Sequence, residues 1–306
     1  MQHNRIFWAL TVVLTAACVI LGLSLVRARR SAEYLPDSAV SDLIRLLEEA
    51  DIHVDPSVVS TRRERGTVYV CGSDDYSRNV AELVGGSPVR VRYTIPDGEI
   101  LLLENGARFD FGSDFSFRYS RNGNAPGQTG VMALNGEQEP LSDRRRGEIA
   151  NTVCAFLERG SRNFVGAAQV EVLTEAETIW EDEGVTYALC TRYIDGITLA
   201  DNAVLCRLEE GEVTEAYGTW CFFTPGESYS AQLADQFNIL FSVKKEIEED
   251  RDGAKPVNIE AVSLCYSLYF YGEEEDFCLI PCWQITTDSM GEYIYNAIDS
   301  TLYTKN

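Results

Sequence analysis

The chain has 306 residues, 45% of them hydrophobic, and a formal net charge of -22. That is apolar material for one large or two modest cores. The charge excludes nucleic acid as a partner and disfavours anionic lipid headgroups, since both present dense negative charge to an acidic surface.

In chain order, the first predicted element is directed at a membrane. FWALTVVLTAACVILGLSLV, residues 7–26, contains no charged side chain. At about 1.5 Å of rise per residue it nearly crosses the ~30 Å hydrocarbon core. Arg27, Arg29 and Arg30 follow at once and crowd out a small-x-small cleavage site, which predicts an uncleaved single-pass anchor over residues 1–30. Arg5 and the α-amino group stand against those three arginines, a count that leans towards a cytoplasmic body. The first 30 residues hold four basic and no acidic side chains, so 22 basic face 48 acidic residues in the body.

DSAVSDLIRLLEEA, residues 37–50, places Val40, Leu43, Leu47 and Ala50 on one stripe and predicts a helix. TVYVCG then reads as a strand, and YSRNVAELVGG as a short helix stopped by Gly85 and Gly86. VRVRYTI, EILLLEN, ARFDFG and FSFRY follow, parted by turns. Their period of two is that of a half-buried antiparallel sheet. These elements make up a predicted N-terminal domain, 31–130, and the Gly- and Asn-rich RNGNAPGQTG ends it. The remainder, 131–306, reads as two helix-plus-meander units, 141–224 and 228–304. In the first, LSDRRRGEIANTVCAFLE predicts a helix with Ile149, Val153, Phe156 and Leu157 on one face, and three or four strands follow. In the second, SYSAQLADQFNILFSVKKEIEE predicts the longest helix of the body, with Leu233, Phe237, Leu240 and Ile247 facing the core. Lys244 with Glu248 and Lys245 with Glu249 are spaced for weak surface pairs. The expected fold class is α+β: an N-terminal transmembrane helix followed by repeated helix-plus-antiparallel-meander domains. No βαβ series supports a parallel nucleotide-binding sheet.

Chemistry-bearing residues are sparse. The two histidines are His3, before the apolar run, and His53, so a Ser-His or Cys-His pair in the body would have to use His53. A lone histidine at a helix-to-strand junction is more often structural. Four lysines leave little for Ser-Lys or Schiff-base catalysis. The acidic runs WEDEG and GEEED lack the alternating oxygen ligands of a calcium loop and fit solvated turns. Eight cysteines outside the apolar run are too few for a disulfide scaffold; Cys278 and Cys282, in CLIPC, form the one close pair, without further zinc ligands. The expectation is a protein with no catalytic residues, no cofactor and no metal. An envelope hydrolase acting on wall glycan or peptide, and a propeptide-like inhibitory module, are the alternatives.

The C-terminal stretch ends in aromatic strands: VSLCYSLYFY, then LIPCWQI, then GEYIYNAIDSTL. Alternating aromatics are sheet packing more often than a ligand cage. Pro281 cannot donate to a ladder and so marks a bulge, a strand start or an edge, while Asn296 is placed to bond local backbone at a strand end. The order of Tyr266, then Pro281 with Trp283, then Tyr293 with Asn296 and Ala297 resembles the closing hairpins of the YycI/YycH-type two-component regulatory proteins. The resemblance implies a bitopic protein of the cell membrane with its body outside the cytoplasm, which reverses the orientation favoured by the arginine count. It also implies regulation of a cell-wall-sensing histidine kinase by contact, with that kinase or a sister anchored regulator as partner. It brings no catalytic residues. Tyr266, Pro281, Trp283, Tyr293 and Asn296 are the residues it singles out, in structural or partner-contact roles.

Overall fold

The structure, a computed structural model, describes residues 34–71, 76–124, 141–160, 172–182, 184–220, 222, 227–251, 255–270 and 277–305. Strand makes up 52% of the described residues and helix 25%. The helices are α1 (Asp37–Glu48), α2 (Tyr76–Gly85), α3 (Asp143–Arg159) and α4 (Gln236–Asp250). The strands begin with β1 (Ile52–Val54), β2 (Arg65–Cys71), β3 (Val89–Ile95), β4 (Gly98–Leu103), β5 (Arg108–Gly112) and β6 (Ser116–Ser120). They continue with β7 (Val172–Asp182), β8 (Val185–Ile194), β9 (Ile197–Glu209), β10 (Glu212–Thr219) and β11 (Ser228–Gln232). The last are β12 (Val257–Phe270), β13 (Phe277–Thr287), β14 (Gly291–Asn296) and β15 (Leu302–Lys305).

The described chain divides into two compact units. One comprises the residues up to Gly66, Ser230–Ser263 and those from Cys282 onward; the other comprises Thr67–Tyr229 and Leu264–Pro281. In this second unit the strands run β7-β8-β9-β10-β6-β5-β4-β3, each antiparallel to its neighbours. The alternation visible in RFDFG sends Phe109 and Phe111 to one face, where they meet Leu101, Leu103, Phe117 and Tyr119. Helices α2 and α3 cover that face. Val80, Ala81 and Val84 come from α2, and Ile149, Val153, Phe156 and Leu157 from the stripe of α3. Phe109 is central, with ring centroids 4.9 Å from Tyr119 and 5.9 Å from both Phe111 and Phe117. A separate cluster stacks Trp180 on Tyr187 at 5.5 Å and packs Leu205 beside them.

In the first unit α1 buries Val40, Leu43 and Leu47 and packs against α4. The guanidinium of Arg251 donates to the Ala50 carbonyl at 2.9 Å, satisfying a backbone acceptor just beyond the C-terminus of α1. β1 lies parallel to the start of β12, Ile52 opposite Val257 and Val54 opposite Ile259. β13, β14 and β15 form an antiparallel ladder.

The expected α+β architecture of repeated helix-plus-meander domains is corrected by this pairing: the described residues are mostly β-sheet. The four strands after α3 do not close a unit of their own. β10 pairs with β6, Thr219 opposite Ser116 and Glu215 opposite Ser120, so strands expected in separate units share one sheet and one core. The physical reason is that a strand left at the end of a meander has unpaired N–H and C=O groups, and β6 supplies their partners. In the same way β12 finds parallel partners distant in sequence, β1 and, at Tyr266 opposite Leu199, β9. Among the described residues no helix is long and apolar enough to cross a membrane. The predicted span 7–26, the boundary region 130–140 and the run GEEED lie outside the described residues.

A second correction concerns residues 228–249. Ser228–Gln232 is strand, and the helix starts only at Gln236. Backbone donors that a helix would use are taken elsewhere: Leu233 N–H bonds the Glu64 carbonyl at 3.2 Å, and Ala234 N–H the Ala297 carbonyl at 2.6 Å. The Asp235 side chain then caps α4, accepting from Asn238 N–H at 3.1 Å. This helix is shorter than α3, and its buried side is Gln236, Ile239, Leu240, Val243 and Ile247. Phe237 is only half-buried. The two surface pairs do form, Lys244–Glu248 at 2.6 Å and Lys245–Glu249 at 3.5 Å.

Among the described cysteines, Cys71, Cys154, Cys190, Cys206 and Cys278 are free thiols, so Cys278 is not joined to Cys282. Two consequences can be measured. Phe109→Ala, at 0% exposure, is expected to cost about 3–5 kcal/mol in urea unfolding, whereas Phe241→Ala, 55% exposed, is expected to stay within about 0.5 kcal/mol. Burial pushes the Cys71 and Cys154 thiols up to about 12. At pH 8 the folded chain should therefore be alkylated by iodoacetamide at these positions at least about a hundredfold more slowly than when unfolded in guanidinium, as read by peptide mass spectrometry.

Candidate functional site

The residues singled out by the sequence are mostly interior. Tyr266, on β12, is buried with its ring 5.6 Å from that of Tyr69. The Tyr69 hydroxyl donates to Asp195 Oδ2 at 3.0 Å. Pro281 is buried in β13, between the register that sets Leu279 opposite Tyr69 and the one that sets Cys282 opposite Asn296. A residue without an N–H is tolerated where a strand changes partner. In the first unit, Trp283 is 3% exposed and its Nε1–H donates to the Ala234 carbonyl at 2.9 Å. Tyr293 is buried, with the Lys305 ammonium 5.6 Å from its ring centre and itself paired to Asp250. Asn296 ends β14, and its Oδ1 accepts from Ile298 N–H at 2.8 Å, the local backbone tie that its position implies. Tyr266 and Pro281 thus belong to the second unit, while Trp283, Tyr293 and Asn296 share the β13–β14 ladder of the first. His53 is exposed on β1, and Trp180–Asp182 closes β7 without forming a cluster of metal ligands among the described residues.

One concave feature of the second unit, among the described residues, is a cleft of about 410 Å³ at one end of the α3-covered sheet face. Helical spacing builds one wall. Thr152, Phe156 and Arg159 follow one another at four and three residues along α3, beside the stripe that faces the core. Arg159 ends the helix, where a cation meets the partial negative charge of the last carbonyls. β6 supplies Tyr119, whose ring packs 5.0 Å from Phe156, and Arg121 follows directly. The Arg121 N–H bonds the Thr214 carbonyl at 2.9 Å, so its position is set by the β6–β10 ladder. Asn105 lies in the β4–β5 turn, where its amide donates to the Gly85 carbonyl at 2.9 Å and its Oδ1 accepts from Ala107 N–H at 3.0 Å.

Electrostatics single out this cleft on an acidic chain. Arg121 pairs with Glu212, but with side chains 51% and 63% exposed that pair is worth only about 0–1 kcal/mol. Arg159 has no ion-pair partner among the described residues. Burial pushes the Tyr119 phenol up, the guanidinium groups of Arg121 and Arg159 pull it the other way, and Glu212 raises it again. The phenol stays a protonated donor at neutral pH and lies within the field of both guanidiniums. The arrangement offers two guanidiniums, a phenol and a polar rim in one concavity, which is chemistry for holding an anion. Sequence reasoning did not find it. RYSRNG and LERG each show an arginine at the end of an element, but only the fold places the two in one lining.

The second edge feature is β3. Among the described strands it pairs with β4 alone, and its other side leaves the ladder unpaired. Tyr93 is 52% exposed on it, next to Arg90 and Arg92 in an otherwise acidic chain.

No protein-family model matches the chain, and no curated protein matches it either. Among solved structures, the chain is similar to an uncharacterized protein from Eubacterium rectale ATCC 33656, with a TM-score of 0.42 and 12% identity over 83% of this chain and 90% of that one.

Proposed function

We propose that the protein is a membrane-anchored extracytoplasmic regulator that modulates a sensor histidine kinase by contact rather than by turnover. The observation that carries the reading is the uncharged run at residues 7–26, closed by Arg27, Arg29 and Arg30. A run of that length has the dimensions of a membrane-spanning helix, and a span ahead of a large folded body ties that body to a bilayer where membrane partners are found. The order of Tyr266, Pro281, Trp283, Tyr293 and Asn296, in its resemblance to YycI/YycH-type proteins, supports the kinase as partner, with a sister anchored regulator as the second member. The open side of β3 supports an extended segment of that partner as what docks, since an unpaired edge accepts a strand through its main-chain groups. Ala16, Ala17 and Gly22 offer the small-residue face of the anchor.

The test is in-cell photocrosslinking in the full chain, from positions within 7–26, from Tyr93 and from the buried Trp283 as a control. Capture of a histidine kinase or a sister anchored protein from the anchor or Tyr93, and not from Trp283, is the expected result. An inserted, efficiently labelled protein that captures neither overturns the reading.

A further inference from the structure

We infer that the cleft between α3 and the β6–β10 seam is a binding site for a small monocarboxylate, its acid group held by Arg159 and Arg121 with the Tyr119 hydroxyl as a further donor. Four features of the cleft lead there. Its volume, about 410 Å³, falls within the range of about 300–1,000 Å³ found for small-molecule sites. Its walls supply the donors that a carboxylate takes: guanidinium forks, which match two oxygens bidentately, and a neutral phenol. The guanidiniums are unequally engaged. Arg159 has no described ion-pair partner, whereas Arg121 is held by Glu212 in an exposed pair that a ligand acid displaces at little expense. Among the described lining residues, the two arginines against Glu212 leave one surplus positive charge, which a singly charged acid neutralises.

Phosphate is the natural competitor, and charge decides against it. At neutral pH a phosphate monoester carries about -1.5 to -2, more than the lining balances. The chain as a whole is at -22 and repels the excess. A monocarboxylate meets short-range donors without that surplus. The face of Phe156 beside Tyr119 gives the organic part of such an acid an apolar surface to lie against. The site is separate from the β3 edge and from the anchor, and it holds or fails independently of the kinase reading.

The experiment is a 19F NMR titration of 4-fluorobenzoate into the full chain in neutral detergent at about 0.15 M salt, where long-range attraction is largely screened. Wild type is expected to show saturable binding. Arg159→Gln should weaken it at least tenfold, and Arg159→Lys, which keeps the charge but loses the fork, by an intermediate factor. Tyr119→Phe should weaken it a few-fold. Arg144→Gln, which removes an exposed arginine paired to Glu148 elsewhere on α3, should leave affinity unchanged, and the unfolding midpoint of each variant identifies any that fails to fold. Absence of saturation in wild type overturns the site. An equal loss in Arg144→Gln and Arg159→Gln reduces it to general charge attraction, and displacement by equimolar inorganic phosphate overturns the carboxylate assignment. Each of these outcomes leaves the crosslinking result for the regulator untouched.

Discussion

The β6–β10 seam is the pairing on which the second unit depends. Five register pairs, from Glu215 opposite Ser120 to Thr219 opposite Ser116, join strands formed before and after α3. Without the seam there would be two short meanders, each with an open edge and half an apolar face. With it, one face carries Phe109, Phe117, Ala188, Val204 and Ala216 in a single cluster, which α2 and α3 together can cover. On the other side of β10, the pairing with β9 sets the backbone closely enough to require a particular residue. Gly218 sits between Phe117 and Val204 with φ +150, and a Cβ there would overlap the Ala203 carbonyl. Glycine in the middle of a strand otherwise weakens it, so its place here reflects close backbone approach.

The interior of the second unit is not purely apolar. Arg192 is 2% exposed, with its guanidinium carbon 5.7 Å from the centre of the Trp220 ring, and its charge is felt at the Cys71 thiol. Asn202 is 2% exposed as well, and neither end of its amide has a hydrogen-bond partner among the described residues. Both lie where the β8–β9 register slips, between Thr191 opposite Ala203 and Tyr193 opposite Thr198. A slip of this kind bends the strand and re-aims the side chains beside it. Buried polar groups in such a place reduce stability, and they also penalise alternative registers in which they would lose what partners they have.

Charge is organised by location rather than by number. Most ion pairs are local and exposed, as in Arg144–Glu148 or Lys245–Glu249, and contribute little to stability. The cleft differs because its arginines come from separate elements, the end of α3 and the end of β6, and converge on one concavity. In an acidic protein such a local reversal of sign arises from tertiary placement. On the reading proposed above it gives the folded body a chemical input, while the apolar run 7–26, proposed as an anchor, and the β3 edge serve contacts with other proteins.

Local pattern in the sequence was sufficient for much of the secondary structure. The stripe Val40, Leu43, Leu47 specified α1, and the alternation in VRVRYTI and ARFDFG specified β3 and β5, because a helix or strand face is set by spacing alone. The apolar run 7–26 and the acidic balance of the body are likewise properties of the sequence by itself. The strand at Ser228–Gln232 was not legible, since its neighbours' backbone donors are satisfied by Glu64 and Ala297, far along the chain. Nor was the bond from the Trp283 indole to the Ala234 carbonyl, or the meeting of Arg121 with Arg159 in the cleft. The sequence by itself determined most of the segments that become helix or strand and most of the stripes that face inward. Tertiary structure alone decided which strands pair and where charged side chains converge, because a strand's hydrogen bonds are made to another strand, and local periodicity carries no record of which one.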